Sequence, residues 1–364
     1  MDGIPPLDDF TQINPAWLTE ILRRAGDLDR RGEVAAFRLE WLSGTRGYMS
    51  GIIRLHLDYE GPRGTAPDTL IVKLPPAAEE RYAIGASLNL FEREMRFYRD
   101  ISADAVLRVP RCYYAGKTEA PRSTMIVMED AWTWRVPDQI TGLDQETLRT
   151  LLDGIAAMHA RWWLSPRLEG FTWLPSVPVD LTQLYGEVWP SFLDSFGSLM
   201  TAEQIRMGER IAAVGPAFLK AIQEPPWTLV HSDIRADNLL VEGPDPPKAV
   251  MVLDWQTVSR SKGAVDAARL VAGSLTRQLE EADFRLFAYR WHGQLTEGGV
   301  AHYSPDQAWQ DFRLGIVNAA YFPVCFHGNL ANEGKRGRDL MEALVRRIFH
   351  AAVTCDALSA LDRA

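Results

Sequence analysis

Cysteine is scarce. Cys112, Cys325 and Cys355 are the only three in 364 residues. They are odd in number, far apart and never in a Cys-x-x-Cys pair, so neither a disulfide framework nor a thiolate zinc site is indicated. A reducing cytoplasm is the compartment this leads one to expect. No apolar run approaches the roughly 18 residues that a membrane helix needs. The first residues, Met-Asp-Gly-Ile-Pro-Pro-Leu-Asp-Asp, lack the positive region of a secretory signal. Basic blocks are missing too. The 39 basic and 48 acidic residues leave a net charge of −9, which argues against nucleic acid as a partner. There is no internal repeat and no low-complexity tract. What remains is an ordinary soluble composition, 46% apolar and 24% charged, in a chain long enough for two lobes and a large core.

The chemistry concentrates in residues 228–256. Two short apolar runs, Leu239–Val241 and Ala249–Leu253, flank the turn-forming Gly243-Pro244-Asp245-Pro246-Pro247, and this predicts a β-hairpin. Asp233 and Asn238 precede its first strand, and Asp254 ends the second. A hairpin draws its two ends together, so the three polar groups converge. Mg2+ takes hard oxygen ligands and typically only one or two protein carboxylates beside phosphates and water; Asn238 and Asp254 suit it. Asp233 lies five residues before Asn238, the Asp-to-Asn offset of a kinase catalytic loop, and is placed to orient the proton of an attacking hydroxyl. His231 braces the loop. Polar turn residues alone produce many of these features; the combination of His-x-Asp, the later Asn and a second strand ending in Leu-Asp-Trp is what sets the stretch apart.

Upstream, Asn14-Pro15 caps a helix predicted over Pro15–Ala25, with Trp17, Leu18, Ile21 and Leu22 on its apolar face. Phe37–Trp41 and Ile52–Tyr59 read as strands. In the second, Ile53, Leu55, Leu57 and Tyr59 alternate with polar residues. The Gly- and hydroxyl-rich loop between them, residues 42–51 and including Ser50, could offer backbone N–H groups to phosphates. Thr69–Leu74 is a short apolar strand carrying Lys73. An unpaired buried charge is costly, so Lys73 needs an anion, and Glu92 and Glu94 lie on different faces of a helix predicted over Ala86–Ile101.

The segment around Asp233 resembles the aminoglycoside phosphotransferase and choline kinase superfamily, whose loop often reads His-Gly-Asp-x-x-x-x-Asn. It is most similar to the ecdysteroid-kinase-like branch and its bacterial relatives, which favour Ile-Asp-Phe/Trp-Gln where this chain has Leu253-Asp254-Trp255-Gln256. Ser232 replaces the usual Gly, and Arg235 stands where relatives often carry Trp or His. The resemblance implies an α+β, bilobal protein-kinase-like fold with a small antiparallel-sheet N-lobe (1–129, nucleotide-binding) and a mostly helical C-lobe (130–364, catalytic and acceptor-binding). It also implies ATP and Mg2+ as cofactors and a small-molecule hydroxyl acceptor as partner. The family's Phe-x-x-Glu-x-x-Phe-Tyr matches residues 91–98 and selects Glu94 to hold Lys73 against the phosphates. Ser50 and its loop would cover the phosphates. The strand predicted over Ser123–Glu129 leads into an inter-lobe hinge, and the backbone of Met128, Glu129 and Asp130 would meet the adenine edge. Asp233 would be catalytic, with Asn238 and Asp254 as metal ligands. Asp266 would hydrogen-bond the catalytic-loop backbone, a role that a plain helix cap would imitate. The protein-kinase Gly-x-Gly-x-x-Gly and Ala-Pro-Glu motifs are absent, which points to a small-molecule kinase.

The remainder reads as helices over Gln145–Trp163, Ala202–Ile222, Ala282–Trp291, Pro305–Val324 and Arg338–Thr354, with an irregular Trp- and Pro-rich stretch over Phe171–Pro190. His159 fits a core position. In relatives the C-terminal region builds the acceptor pocket, for which Trp291, Tyr321, Phe322, Phe326 and His327 are candidate lining residues. The 12 Trp of the chain tilt the expectation toward an apolar or ring-bearing alcohol. Two alternatives remain: a cationic acceptor, for which Glu280, Glu281, Asp283 and Glu297 are candidate carboxylates, and a catalytically inactive kinase-like binding protein.

Overall fold

A computed structural model of the chain describes residues 3–42, 50–176, 180–244, 247–275, 277–331 and 334–363. It divides into two compact units, Met1–Trp134 with Leu253–Gln256, and Arg135–Val252 with Thr257–Ala364.

The first unit is built on an antiparallel sheet. Its strands are β1 (Glu33–Trp41), β2 (Gly51–Glu60), β3 (Thr69–Leu74), β4 (Cys112–Gly116) and β5 (Met125–Glu129), in the order β1-β2-β3-β5-β4. The period-two pattern of β2 puts Ile53, Leu55 and Leu57 on one buried face. They pack with Leu70 and Val72 of β3 and with Trp17, Leu18, Ile21 and Leu22. Those four belong to α1 (Pro15–Arg24), where the Asn14 side chain accepts from the Trp17 N–H and Pro15 fills the first turn. The single helix predicted over Ala86–Ile101 is two helices, α2 (Glu79–Ser87) and α3 (Leu90–Asp100). Asn89 separates them at φ +53°, a left-handed conformation that Asn tolerates better than most residues. The break lets α3 set its own direction and bury Glu94, Phe97 and Tyr98.

The second unit is mostly helical. Its first part comprises α4 (Gln145–Trp162), the short α5 (Arg167–Gly170), α6 (Thr182–Phe196), α7 (Ala202–Ala213) and α8 (Gly215–Gln223). Two expectations fail here. The stretch taken as irregular, Phe171–Pro190, holds the first nine residues of α6, whose Tyr185, Trp189, Phe192 and Phe196 form one buried helical stripe around an interior Pro190. The helix predicted over Ala202–Ile222 is interrupted at Val214, and Pro216, which lacks an N–H, opens α8 instead. The predicted hairpin forms from β7 (Leu239–Glu242) and β8 (Ala249–Val252), with Leu239 opposite Val252. A second pairing, β6 (Thr228–Val230) with β9 (Ser259–Ser261), brackets the loop that carries Asp233. The helices α9 (Ala264–Ser274), α10 (Glu281–Glu297), α11 (Pro305–Cys325), the short α12 (His327–Ala331) and α13 (Lys335–Thr354) complete the unit. Among the described residues no helix is long and apolar enough to cross a membrane.

Helix α9 is buried on every side, and α11 lies against it through Gly315. A Cβ at that position would meet the Ala264 carbonyl oxygen and sit 2.7 Å from the Ala268 Cβ. Gly315→Ala should therefore push α9 and α11 apart and destabilise the protein by about 1–3 kcal/mol. Urea unfolding of the variant beside the wild type measures this, and unchanged stability would show that the contact yields without cost.

Candidate active site

Two polar clusters stand out, one in each unit. In the first, β3 presents Lys73 and α3 presents Glu94. The Lys73 ammonium lies 2.7 Å from Glu94 Oε2 and 2.6 Å from Asp254 Oδ1. One cation thus holds two carboxylates. Burial alone would lower the Lys73 pKa, but Asp254 and Glu94 together outweigh it and hold the ammonium above its ordinary range. Burial, with the second carboxylate adding to it, raises Glu94 against the pull of Lys73. Gln256 Nε2 donates to Asp254 Oδ2 at 3.2 Å. Between these two residues the buried Trp255 ring stacks on Phe97 of α3, with centroids 4.0 Å apart and planes within 4°. Asp254 sits at φ +65°, a conformation that costs a non-glycine residue free energy and is found preferentially at functional positions.

The other sequence-predicted residues of this unit are distributed around the sheet. Met128 lies in β5 opposite Ile71. The Glu129 N–H donates to the Arg111 carbonyl at 2.8 Å, and the Glu129 carboxylate pairs with Arg108 at 2.5 Å. The Asp130 carboxylate accepts from Arg54 Nε at 2.6 Å, so both acidic side chains are engaged within the unit. Ser50 stands directly before β2; the rest of its loop, 43–49, lies outside the described residues.

The second cluster is the loop 231–238. Its backbone is held by Asp266, in the first turn of α9, whose carboxylate accepts from the N–H groups of His231 at 2.7 Å and Ser232 at 2.8 Å. Asp266 also faces His159 Nε2 at 3.3 Å, and Trp291 Nε1 donates to His159 Nδ1 at 3.0 Å. An indole N–H is a donor only, so His159 Nδ1 is the acceptor and Nε2 carries the proton toward Asp266. This explains the buried His159 and corrects the expectation for Trp291, which is fully buried in the core instead of lining a pocket. Ser232 adopts φ +68°, the physical reason that Gly serves at such a position. Its hydroxyl lies 2.9 Å from the Ser259 hydroxyl.

Asp233 and Asn238 come together. Asn238 Nδ2 donates to the Asp233 carbonyl at 2.9 Å and to Asp233 Oδ2 at 3.1 Å. This fixes the amide so that its oxygen is left for another partner. Burial would raise the Asp233 pKa; Arg269 first, then Arg235, outweigh it and keep the carboxyl below its usual range. The sequence reading missed two residues here. Arg269 forms an ion pair with Asp233 Oδ1; it follows Asp266 by three positions, so one helical turn places both on the face toward the loop. The fully buried Gln139 donates from Nε2 to the Gly273 carbonyl at 2.7 Å and accepts from the Ala236 N–H at 2.6 Å. A single glutamine has no sequence signature to give it away.

Comparison with known proteins narrows the class. The sequence model of the ecdysteroid kinase-like family matches residues 44–162. In three dimensions the chain is similar to a candidate aminoglycoside phosphotransferase from Ralstonia eutropha JMP134 (TM-score 0.56, 16% identity, 94% of this chain and 97% of that one). It is also similar to a choline kinase from Cryptosporidium parvum Iowa II (0.53, 10%, 94% and 95%). A third likeness is to APH(2″)-IIIa in complex with GDP and kanamycin (0.51, 11%, 96% and 97%). This is a kinase-like phosphotransferase fold. The resemblance to the ecdysteroid-kinase-like branch rests on the N-terminal match, and the aminoglycoside phosphotransferase and choline kinase likeness runs over nearly the whole chain. Among curated proteins no sequence matches this one.

The Asp266 carboxylate accepts from two adjacent loop N–H groups. Asp266→Ala should strand both donors and the His159 N–H in the interior. Buried groups left unsatisfied cost about 1–3 kcal/mol each, so we expect a loss of roughly 3–5 kcal/mol of stability, on the scale of breaking a buried charge network. Chemical denaturation monitored by tryptophan fluorescence reads this directly; a loss under about 1 kcal/mol would mean that the loop is held by other means.

Proposed function

We propose that the chain is an ATP- and Mg2+-dependent phosphotransferase that moves the γ-phosphoryl group to a hydroxyl of a small organic acceptor. The observation that carries this reading is the Lys73 ammonium shared by Glu94 and Asp254. A buried cation positioned by one carboxylate and next to a second, hard-oxygen donor is suited to nucleotide phosphates and their metal ion. The donor set fits Mg2+: the Asp254 carboxylate and the Asn238 amide oxygen are both hard oxygens, and the Asn238 amide nitrogen is already bound to Asp233. When bound, the metal ion would neutralise charge on the transferring phosphoryl group.

In this reading Lys73 grips the phosphates and Glu94 fixes Lys73. Asp233, ionised beside Arg269, accepts a hydrogen bond from the acceptor hydroxyl and aims its oxygen at the γ-phosphorus. The new phosphorus–oxygen bond forms as the bond to the β–γ bridging oxygen breaks. The nucleoside diphosphate leaves, and the hydroxyl proton passes to Asp233 and on to solvent. A carboxylate held below its usual pKa orients better than it abstracts, which suits a transition state in which positioning and charge stabilisation supply most of the rate. The backbone of Met128–Asp130 and the loop containing Ser50 are assigned to the adenine and the phosphates. The four carboxylates considered for a cationic acceptor are occupied locally, Glu297 by accepting from Gln294 Nε2 at 2.8 Å. Glu280 and Asp283 form the capping box of α10, Asp283 also pairs with Arg277, and Glu281 pairs with Arg285.

Two variants separate the roles. Asp233→Asn should leave Mg–ATP binding nearly intact while turnover falls roughly a hundredfold or more, the scale of losing an acid–base group; an active Asn variant would remove Asp233 from its role. Asp254→Ala should instead abolish the Mg2+ dependence of nucleotide affinity. Calorimetric titration with ATP, with and without Mg2+, shows whether the two affinities become equal.

A further inference from the structure

Beside Asp233 stand two guanidinium groups that phosphoryl transfer alone leaves without a full set of partners. Arg269 pairs with Asp233 Oδ1 through Nη2. It is only 8% exposed, and its Nε has no hydrogen-bond partner among the described residues. Arg235 is held loosely. Its Nη1 donates to Asp237 Oδ2 at 3.4 Å, the outer edge of a hydrogen bond, and its Nε lies 3.5 Å from Asp233 Oδ2 as an ion-pair contact without a hydrogen bond. Asp237 has another cation in Arg336, at 3.2 Å, so Arg235 is not needed there. Both guanidiniums lie over one aromatic face, with Arg269 4.7 Å and Arg235 5.7 Å from the centroid of Phe322 in α11. Stacking of this kind holds a guanidinium plane in place while leaving its edge free to donate.

Two planar donor forks, stacked on one ring and meeting between them the single carboxylate of Asp233, are matched to an anion. Guanidinium edges pair with carboxylate or phosphate oxygens in a bidentate fashion. A cation brought to the same place meets two like charges. We propose that Arg235 and Arg269, seated on Phe322, form an anion seat next to Asp233, and that the acceptor is a hydroxyl compound bearing a carboxylate or phosphate group. This rests on the phosphotransferase reading above and goes further by fixing the acceptor's charge.

The test uses binding to the full chain in the absence of nucleotide. One carbinol is offered in three charge states, as mandelate, mandelamide and 2-amino-1-phenylethanol, and inorganic phosphate is titrated alongside, each by calorimetry. Mandelate or phosphate should bind about tenfold or more tightly than mandelamide, and the amine should bind least. The stronger of the two anions says whether the seat favours carboxylate or phosphate. Arg235→Gln should erase the preference, and Arg235→Lys, which keeps the charge and loses the fork, should restore part of it; melting curves of both variants confirm that they are folded. Failure of both anions to bind at millimolar concentration, equal affinity for mandelamide, or wild-type anion affinity in Arg235→Gln would overturn the seat. Mg–ATP titration of the same samples separates the two levels: nucleotide binding without anion preference overturns the seat alone, whereas anion binding without nucleotide binding removes the acceptor role and the reading beneath it.

Discussion

A buried carboxylate holding two backbone N–H groups fixes the start of the loop 231–238. Asp266 has no solvent to fall back on, and the His231 and Ser232 N–H groups satisfy it together with His159. This anchor acts at the start of the loop, and Gln139 holds the Ala236 N–H further along. Ser232 is forced into a left-handed turn, Asp233 emerges from that turn, and the following 3-10 turn brings the Asn238 amide back onto Asp233. The same helix that supplies Asp266 supplies Arg269 one turn later, so a single packed element both ties down the loop and pairs with the Asp233 carboxylate. Fixing such groups on a packed helix, with their rotamers held by further hydrogen bonds, is what positional catalysis demands.

Much of this was legible in the sequence where local patterns were strong. The alternation in β2, the Asn14-Pro15 cap of α1 and the turn between β7 and β8 each name their element without reference to the rest of the fold. Lys73 and Glu94 were legible because charge in an apolar strand requires a counter-charge and the motif over residues 91–98 chose between two candidates. The breaks were less visible. Asn89 ends one helix and begins another through its own backbone conformation, which no apolar period reports. Pro190 masked α6, although the spacing of Tyr185, Trp189, Phe192 and Phe196 is helical throughout.

The residues that were missed share a property: their function is relational. Gln139 matters because it reaches Gly273 and Ala236, more than ninety positions away. Trp291, read as a pocket aromatic, is a hydrogen-bond donor that sets which nitrogen of His159 carries a proton. Arg269 was in plain view within the α9 segment, but its importance depends on Asp233 lying opposite. Sequence spacing reports neighbours along one element well; it is silent on partners contributed by another.

The stacking of Trp255 on Phe97 has a mechanical corollary. The ring pair fastens α3 to the four residues that follow the hairpin, so Glu94 and Asp254 travel as one piece. Lys73 therefore meets both carboxylates on one packed body, and a substitution that loosens the ring pair would disturb its two ion pairs together.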